Sequence, residues 1–275
     1  MEILFFRRHK AILVVLDGLN CKSASINMGY LNALCKENLG KFYSLECELP
    51  SMSRPLYECL LTGVKPVLSG IINNKLSFSK QTSIFDLCKE QGLKAGGAAY
   101  HWVFELYNKK EFIPSLHRHI EDENLTLPYG HFYYEDDYLD SHLFADGEHL
   151  RNKYNLDFTL IHSMNIDDAG HKFGSHSIEY ANKTKKVDIL ISEYLPTWLE
   201  QGINVIITSD HGMTEGKSHG GLSEDEILVP FFTFGSAFSY ENAKIKQDEI
   251  CGSICEILGL KHDKRYNDEI LKAKK

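Results

Sequence analysis

Residues 203–221 read INVIITSDHGMTEGKSHGG: a largely apolar run that stops at adjacent Asp210 and His211, with His219 eight residues on among Gly216, Gly220 and Gly221. A short continuous apolar run ending in a polar, glycine-rich loop predicts a strand buried on both faces, here over 203–209. Neighbouring ligand-type side chains at a strand end suit a core poorly and a metal site on a loop well. Loops at the carboxyl ends of strands are where open α/β sheets bind their ligands.

The same arrangement recurs along the chain. AILVVL (11–16) ends at Asp17 and Gly18, LKAGGAA (93–99) and DFTLIHS (157–163) are further strand candidates, and VPFFTF (229–234) adds a shorter one. Between 177 and 200, Val187, Leu190, Ile191, Tyr194, Leu195 and Trp198 fall on one face of an amphipathic helix, with Gly202 as its stop. Alternating strand and helix signals predict an α/β fold: a doubly wound, mostly parallel sheet with helices on both faces, spanning 1–275 as a single domain. The aromatic and charged stretch 101–136 breaks the rhythm. It is expected to form a small lid or cap insertion near the strand ends, the alternative being a surface excursion with its aromatics packed inward.

Composition narrows the function classes. The 275 residues are 43% hydrophobic and 25% charged, as in a globular domain. A net charge of -8 argues against a nucleic-acid polymer or an anionic membrane as partner, so an anionic substrate needs a local positive centre, which bound metal would supply. No apolar stretch of about 18 residues is present, and no spanning helix is expected. The basic residues of MEILFFRRHK precede an apolar run that contains Asp17 and lacks a small-residue cleavage site, so that run reads as a strand and not as a leader. Seven cysteines, an odd number mostly within apolar patterns, read as reduced, with Cys251 and Cys255 packing a helix. A cytoplasmic location is the expectation.

Three further motifs join the opening one. Asp17 follows its strand directly, as a metal ligand or a turn former would. In LPSMSRPLYECLLTG (49–63), Pro55 places Ser53 at a helix amino terminus, where exposed N–H groups favour an anion. A serine there acts as nucleophile, as helix cap, or as both. In NIDDAGHKFG (165–174), Asp167 or Asp168 lies near His171, with Gly170 expected to let the backbone turn between the ligands.

Together these segments resemble the alkaline phosphatase superfamily, in particular its nucleotide pyrophosphatase/phosphodiesterase branch, from Ala11 to about Gly235. The stretch DHGMTEGKSHGG is also similar to phosphoethanolamine transferases of that superfamily, and AAYHWVFELYN and MNIDDAGHKFG to small bacterial alkaline-phosphatase-like proteins. The family's nucleophile, nine residues before a Thr-Gly pair, falls on Ser53 and not Ser51, and its D-x-x-x-H pair selects Asp167 over Asp168. The resemblance implies two Zn2+ ions, with Mn2+ or another divalent metal as substitute. One would be held by Asp17, Asp210, His211 and the Ser53 oxygen, the other by Asp167, His171 and His219. It implies a phosphoesterase that hydrolyses a small phosphorylated substrate, a mono- or diester, through a phosphoseryl intermediate on Ser53. The alternatives are a phosphoryl or phosphoethanolamine transferase or mutase, or a phosphonate hydrolase.

Departures bear on the substrate. The family's phosphate-binding asparagine, three residues after the nucleophile, is Leu56 here, and the formylglycine pattern of sulfatases is missing. Arg54, Tyr57, His101 and Trp102 are candidate substrate contacts. Glu135, Asp136, Asp137 and Asp140, with His142, form either a site for a cationic head group or ion, or a solvated helix start. His117, His119 and His131 share no periodicity and are given no role.

Overall fold

Odd and even residues of the central strand β1 (Lys10–Leu16) divide the core in two. Ala11, Leu13 and Val15 pack into one hydrophobic cluster, Ile12, Val14 and Leu16 into another, as the two-residue period of a strand buried on both faces requires. The computed structural model describes residues 9–273; residues 1–8, and the reading of their basic side chains, lie outside it.

Seven more strands complete the sheet: β2 (Lys41–Glu46), β3 (Ala95–Tyr100), β4 (His119–Glu121), β5 (Tyr129–Tyr133), β6 (Phe158–Ser163), β7 (Ile203–Thr208) and β8 (Leu228–Phe234). Their order is β2-β8-β7-β1-β6-β3-β5-β4. The run β7-β1-β6-β3-β5 is parallel, while β8 pairs antiparallel with β7 and β2, and β4 antiparallel with β5. The helices Ser53–Thr62, Ile84–Glu90, His101–Asn108 and Ile250–Leu258 cover the first face, and Asp140–Tyr154 and Ile178–Glu200 the second. The doubly wound, mostly parallel α/β architecture is therefore present.

The five expected strands are all found, β3 shifted toward Tyr100. The helix expected over 177–200 runs Ile178–Glu200, its amino end capped by the Ser177 hydroxyl, which accepts from Tyr180 N, and it stops before Gly202 at φ 76°. Cys251 and Cys255 pack in the first core, and all seven cysteines are thiols. No helix among the described residues is long and apolar enough to cross a membrane.

Residues 101–136, expected as a lid or cap, are built from secondary structure. They supply the helix His101–Asn108, whose Val103, Phe104, Leu106 and Tyr107 are buried, and then β4 and β5, which extend the sheet. Aromatic residues here fill the core: Phe104 packs edge-on to Phe132 at 5.4 Å. β5 reads YGHFY, too short and too polar to announce itself as a core strand.

Candidate metal and nucleophile site

The carboxyl ends of β7, β1 and β6 and the amino ends of two helices meet at one point. Asp17 leaves β1, and its N–H donates to Ser163 O at the end of β6 (2.9 Å). Asp210 and His211 follow β7, Asp167 and His171 lie on the helix Asn165–Phe173, and Ser53 opens the helix Ser53–Thr62. His219 reaches in from the glycine-rich loop. Two sets result, Asp17/Asp210/His211 and Asp167/His171/His219, each with one donor atom per residue within 4.8 Å of the others. All seven residues singled out from the sequence are brought together.

Gly170 does not sit in a turn, as the sequence suggested. It is inside the helix, so Asp167 and His171 share a face through i, i+4 spacing. A side chain at 170 would meet Met213 at 2.5 Å, so the glycine serves close packing. Gly18 does hold a conformation that other residues resist: at φ 71° its added Cβ would lie 2.8 Å from Asp167, while its N–H donates to Asp210 Oδ1 (3.3 Å).

The three histidines are oriented alike. His211 Nδ1 lies 2.9 Å from Gly212 O, His219 Nδ1 2.8 Å from Ser51 O, and His171 Nδ1 3.1 Å from Lys217 O. A carbonyl only accepts, so each Nδ1 carries a hydrogen and each ring turns its Nε2 inward, free to offer a lone pair whenever the ring is neutral. His211 Nε2 stands 3.0 Å from Ser53 Oγ, 3.3 Å from Asp210 Oδ2 and 3.5 Å from Asp17 Oδ1. His171 and His219 Nε2 lie 3.4 and 3.8 Å from the Asp167 oxygens. Ser51 thus acts as a scaffold for His219, and Asp168 pairs with Lys172 at 2.8 Å, away from the cluster.

Burial and charge make the cluster unstable as bare protein. Asp17 Oδ1, Asp167 Oδ1 and Asp210 Oδ2 are buried without a hydrogen-bond partner, and such groups call for an explanation. Burial, then the charges of Asp210 and Asp167, raise the Asp17 pKa well above the usual carboxylate range; burial and Asp167 push Asp210 up to about 7. Burial works the same way on Asp167, but His171, His211 and His219 hold its pKa low. His171 in turn rises to about 9 through its hydrogen bond to Asp167. Carboxylate oxygens and imidazole nitrogens form a donor set suited to zinc or a related divalent ion, and the orphaned oxygens fit such an occupant.

The sequence reading missed His162, on β6. Burial pushes its pKa down to about 3, and its Nδ1 accepts from Tyr100 N (3.4 Å), so Nε2–H faces Asp17 Oδ2 at 3.3 Å. Tyr57 joins it: the hydroxyl donates to the same oxygen. Tyr57 is 1% exposed and so orients Asp17 from behind instead of lining a substrate pocket. The available signal was a histidine inside an otherwise apolar strand.

The other candidates divide. Arg54 is buried and pairs with Glu105 at 2.7 Å, and its guanidinium stacks on Trp102 at 4.6 Å. His101 Nδ1 lies 3.3 Å from Glu105. Leu56 is part of the core and offers no phosphate contact. Glu135, Asp136 and Asp137 are exposed past β5, whereas the Asp140 carboxyl accepts from the buried Ser163 hydroxyl at 2.5 Å. His142 is exposed beside Tyr138. His117 stacks on Phe104, and His119 packs on His131, outside the cluster.

A family model described as type I phosphodiesterase / nucleotide pyrophosphatase matches residues 11–230. The chain belongs to this family. Among related phosphodiesterase-family structures, human ectonucleotide pyrophosphatase / phosphodiesterase 5 superposes with a TM-score of 0.77 at 16% identity, covering 96% of this chain and 100% of that one. A 2-O GAG sulfatase follows at 0.64 and 12%, covering 93% of this chain and 72% of its own. At these identities the likeness is one of fold. The catalytic subunit of human GPI ethanolamine phosphate transferase 2 is 21% identical over 271 residues, 91% of this chain and 26% of its own length. Mouse GPI ethanolamine phosphate transferase 1 is 36% identical over 94 residues, 32% of this chain and 10% of its own length. The chain therefore spans about a quarter or less of these relatives.

Proposed function

We propose that this phosphodiesterase-family chain is a two-metal phosphoesterase in which Ser53 attacks phosphorus and carries the phosphoryl group as phosphoserine. One observation carries the reading: three histidines, each fixed by a backbone carbonyl, direct their Nε2 atoms together with three partnerless carboxylate oxygens to the neighbourhood of the Ser53 hydroxyl. Asp17, Asp210 and His211 would hold one ion beside Ser53, and Asp167, His171 and His219 the other. Zinc in both places would supply the positive charge that makes a serine hydroxyl acidic and neutralises phosphoryl oxygens.

The chain's own groups do the rest. Ser53 Oγ lies at a helix amino terminus, where the dipole and free N–H groups favour an oxyanion and a bound phosphate. Its oxygen bonds to phosphorus as the ester oxygen leaves, and a second displacement by water frees phosphate or a phosphomonoester. Tyr57 and His162 keep Asp17 turned toward the cluster throughout.

A transferase reading, in which an alcohol replaces water in the second step, is favoured by the ethanolamine phosphate transferases among the relatives. It also draws on the edge past β3 and β5, where Asp136 lies against the Tyr100 hydroxyl near Trp102: a carboxylate beside aromatic rings suits an ammonium group. A panel of phosphate mono- and diesters, assayed with and without methanol and ethanolamine as acceptors, separates the two. Hydrolysis unaffected by acceptor supports the esterase; partition into a new ester supports the transferase. Ser53→Ala is expected to lower turnover by about 10⁴-fold or more while zinc content stays unchanged. Absence of turnover on every ester by the zinc-replete protein would refute both readings.

A further inference from the structure

Arg54 presents a second unsatisfied group beside the nucleophile. Its Nη2 donates to Glu105 Oε2 at 2.7 Å, while Nε and Nη1 are buried with no hydrogen-bond partner. Stacking on Trp102 uses the face of the guanidinium and leaves these edge N–H groups free. Glu105 offers no second bond, because its other carboxylate oxygen is taken up by His101 at 3.3 Å and the Phe112 N–H at 3.4 Å. Two unmet buried donors on a cation are costly, and a structure tolerates them where a ligand completes them.

We infer that Arg54 holds a non-bridging oxygen of the phosphoryl group that Ser53 attacks, and that Glu105 positions it for this. The inference rests on the phosphoesterase reading of the same site. Arg54 follows Ser53 in the first turn of the helix, and its own N–H is capped by Asn74 Oδ1 at 3.0 Å, so the guanidinium starts from a fixed backbone. Ser53 and Arg54 are each 2% exposed, so the unmet donors of the arginine have no recourse to water. A planar guanidinium matches phosphate oxygens better than any other side chain. It would supply the contact that Leu56, buried in the core, does not.

The alternative is that Arg54 only ties two helices together through Glu105. Calorimetric binding of inorganic phosphate to the zinc-loaded protein distinguishes them, with zinc content and melting midpoint measured on each variant. Arg54→Ala is expected to weaken phosphate binding by about 10- to 100-fold, with partial rescue by added guanidinium ion, and Arg54→Lys by several-fold, because the charge remains and the fork is lost. Glu105→Gln is expected to melt lower and to weaken phosphate binding by less than Arg54→Lys, since it loosens the seat of the guanidinium and leaves its charge and fork in place. Should Arg54→Ala not fold, Arg54→Lys and Glu105→Gln decide the matter. Undiminished phosphate binding by either arginine variant, or a loss in Glu105→Gln as large as in Arg54→Lys, would overturn the proposal. Zinc-loaded wild type with neither turnover nor phosphate binding would instead bring down the phosphoesterase reading, and the role of Arg54 with it.

Discussion

The two sets of candidate ligands differ in how they are held. Asp17, Asp210 and His211 leave the ends of two neighbouring parallel strands and are fully enclosed. Asp167, His171 and His219 sit on a helix and a glycine-rich loop, with the His171 side chain 46% exposed and those of His219 and Asp167 nearly buried. The strand-borne set has no member in contact with water, whereas the helix-borne set has the exposed His171 and its ion pair with Asp167. On the proposed function, the first set would be the rigid seat for Ser53 and the second the side from which water or alcohol arrives.

The largest consequence concerns activity. Asp210→Asn is expected to reduce turnover by about 10³-fold and to remove about one of two zinc equivalents, because no solvent substitutes for the lost oxygen. His171→Ala should cost only about 10- to 100-fold, with activity partly restored by added zinc. Equal losses from the two substitutions would erase the distinction.

Stability of the chelated protein should respond with opposite signs. At pH 8, Asp210→Asn removes one of three crowded buried carboxylates and is expected to stabilise the chelated form by about 1–3 kcal/mol, read as a higher melting midpoint. His171→Ala should destabilise it slightly, by under about 1 kcal/mol, since the pair with Asp167 is solvent-screened. The raised His171 value fixes the pH window. Its stabilisation is complete below the unfolded value, about 6.5, and is lost as pH rises through about 9. The difference between wild type and His171→Ala should therefore shrink over that range in chelator.

The smallest effect tests the support behind the enclosed set. Tyr57→Phe removes one of two donors to Asp17 Oδ2 and is expected to weaken zinc at that set by about 10-fold, without changing the helix-borne set. A chelator titration that follows both equivalents measures it.

Much of this was legible in the sequence because strand ends announce themselves: an apolar run that stops at Asp17, or at Asp210 and His211, gives both the element and the edge at which its ligands gather. Ser53 was placed by Pro55 and the Thr62-Gly63 spacing, and Asp167 over Asp168 by family pattern, which the outward pair of Asp168 with Lys172 accords with. Less legible were groups whose role depends on what crosses from another strand. His162 acts through Asp17, 145 residues away. Tyr57 read as a pocket residue because helical periodicity tells which face it occupies but not which oxygen it meets. The short strands β4 and β5 were hidden because their stability comes from pairing with β3, and the aromatics around them looked like the contents of a lid.

The central claim is that these two sets of residues are two metal sites flanking one serine. Crystals grown without chelator and measured on both sides of the zinc absorption edge test it most directly. The account predicts two anomalous peaks, one bounded by Asp17, Asp210 and His211 beside Ser53 Oγ, the other by Asp167, His171 and His219. No peak at either set after zinc supplementation, or a single peak elsewhere on the protein, would contradict it.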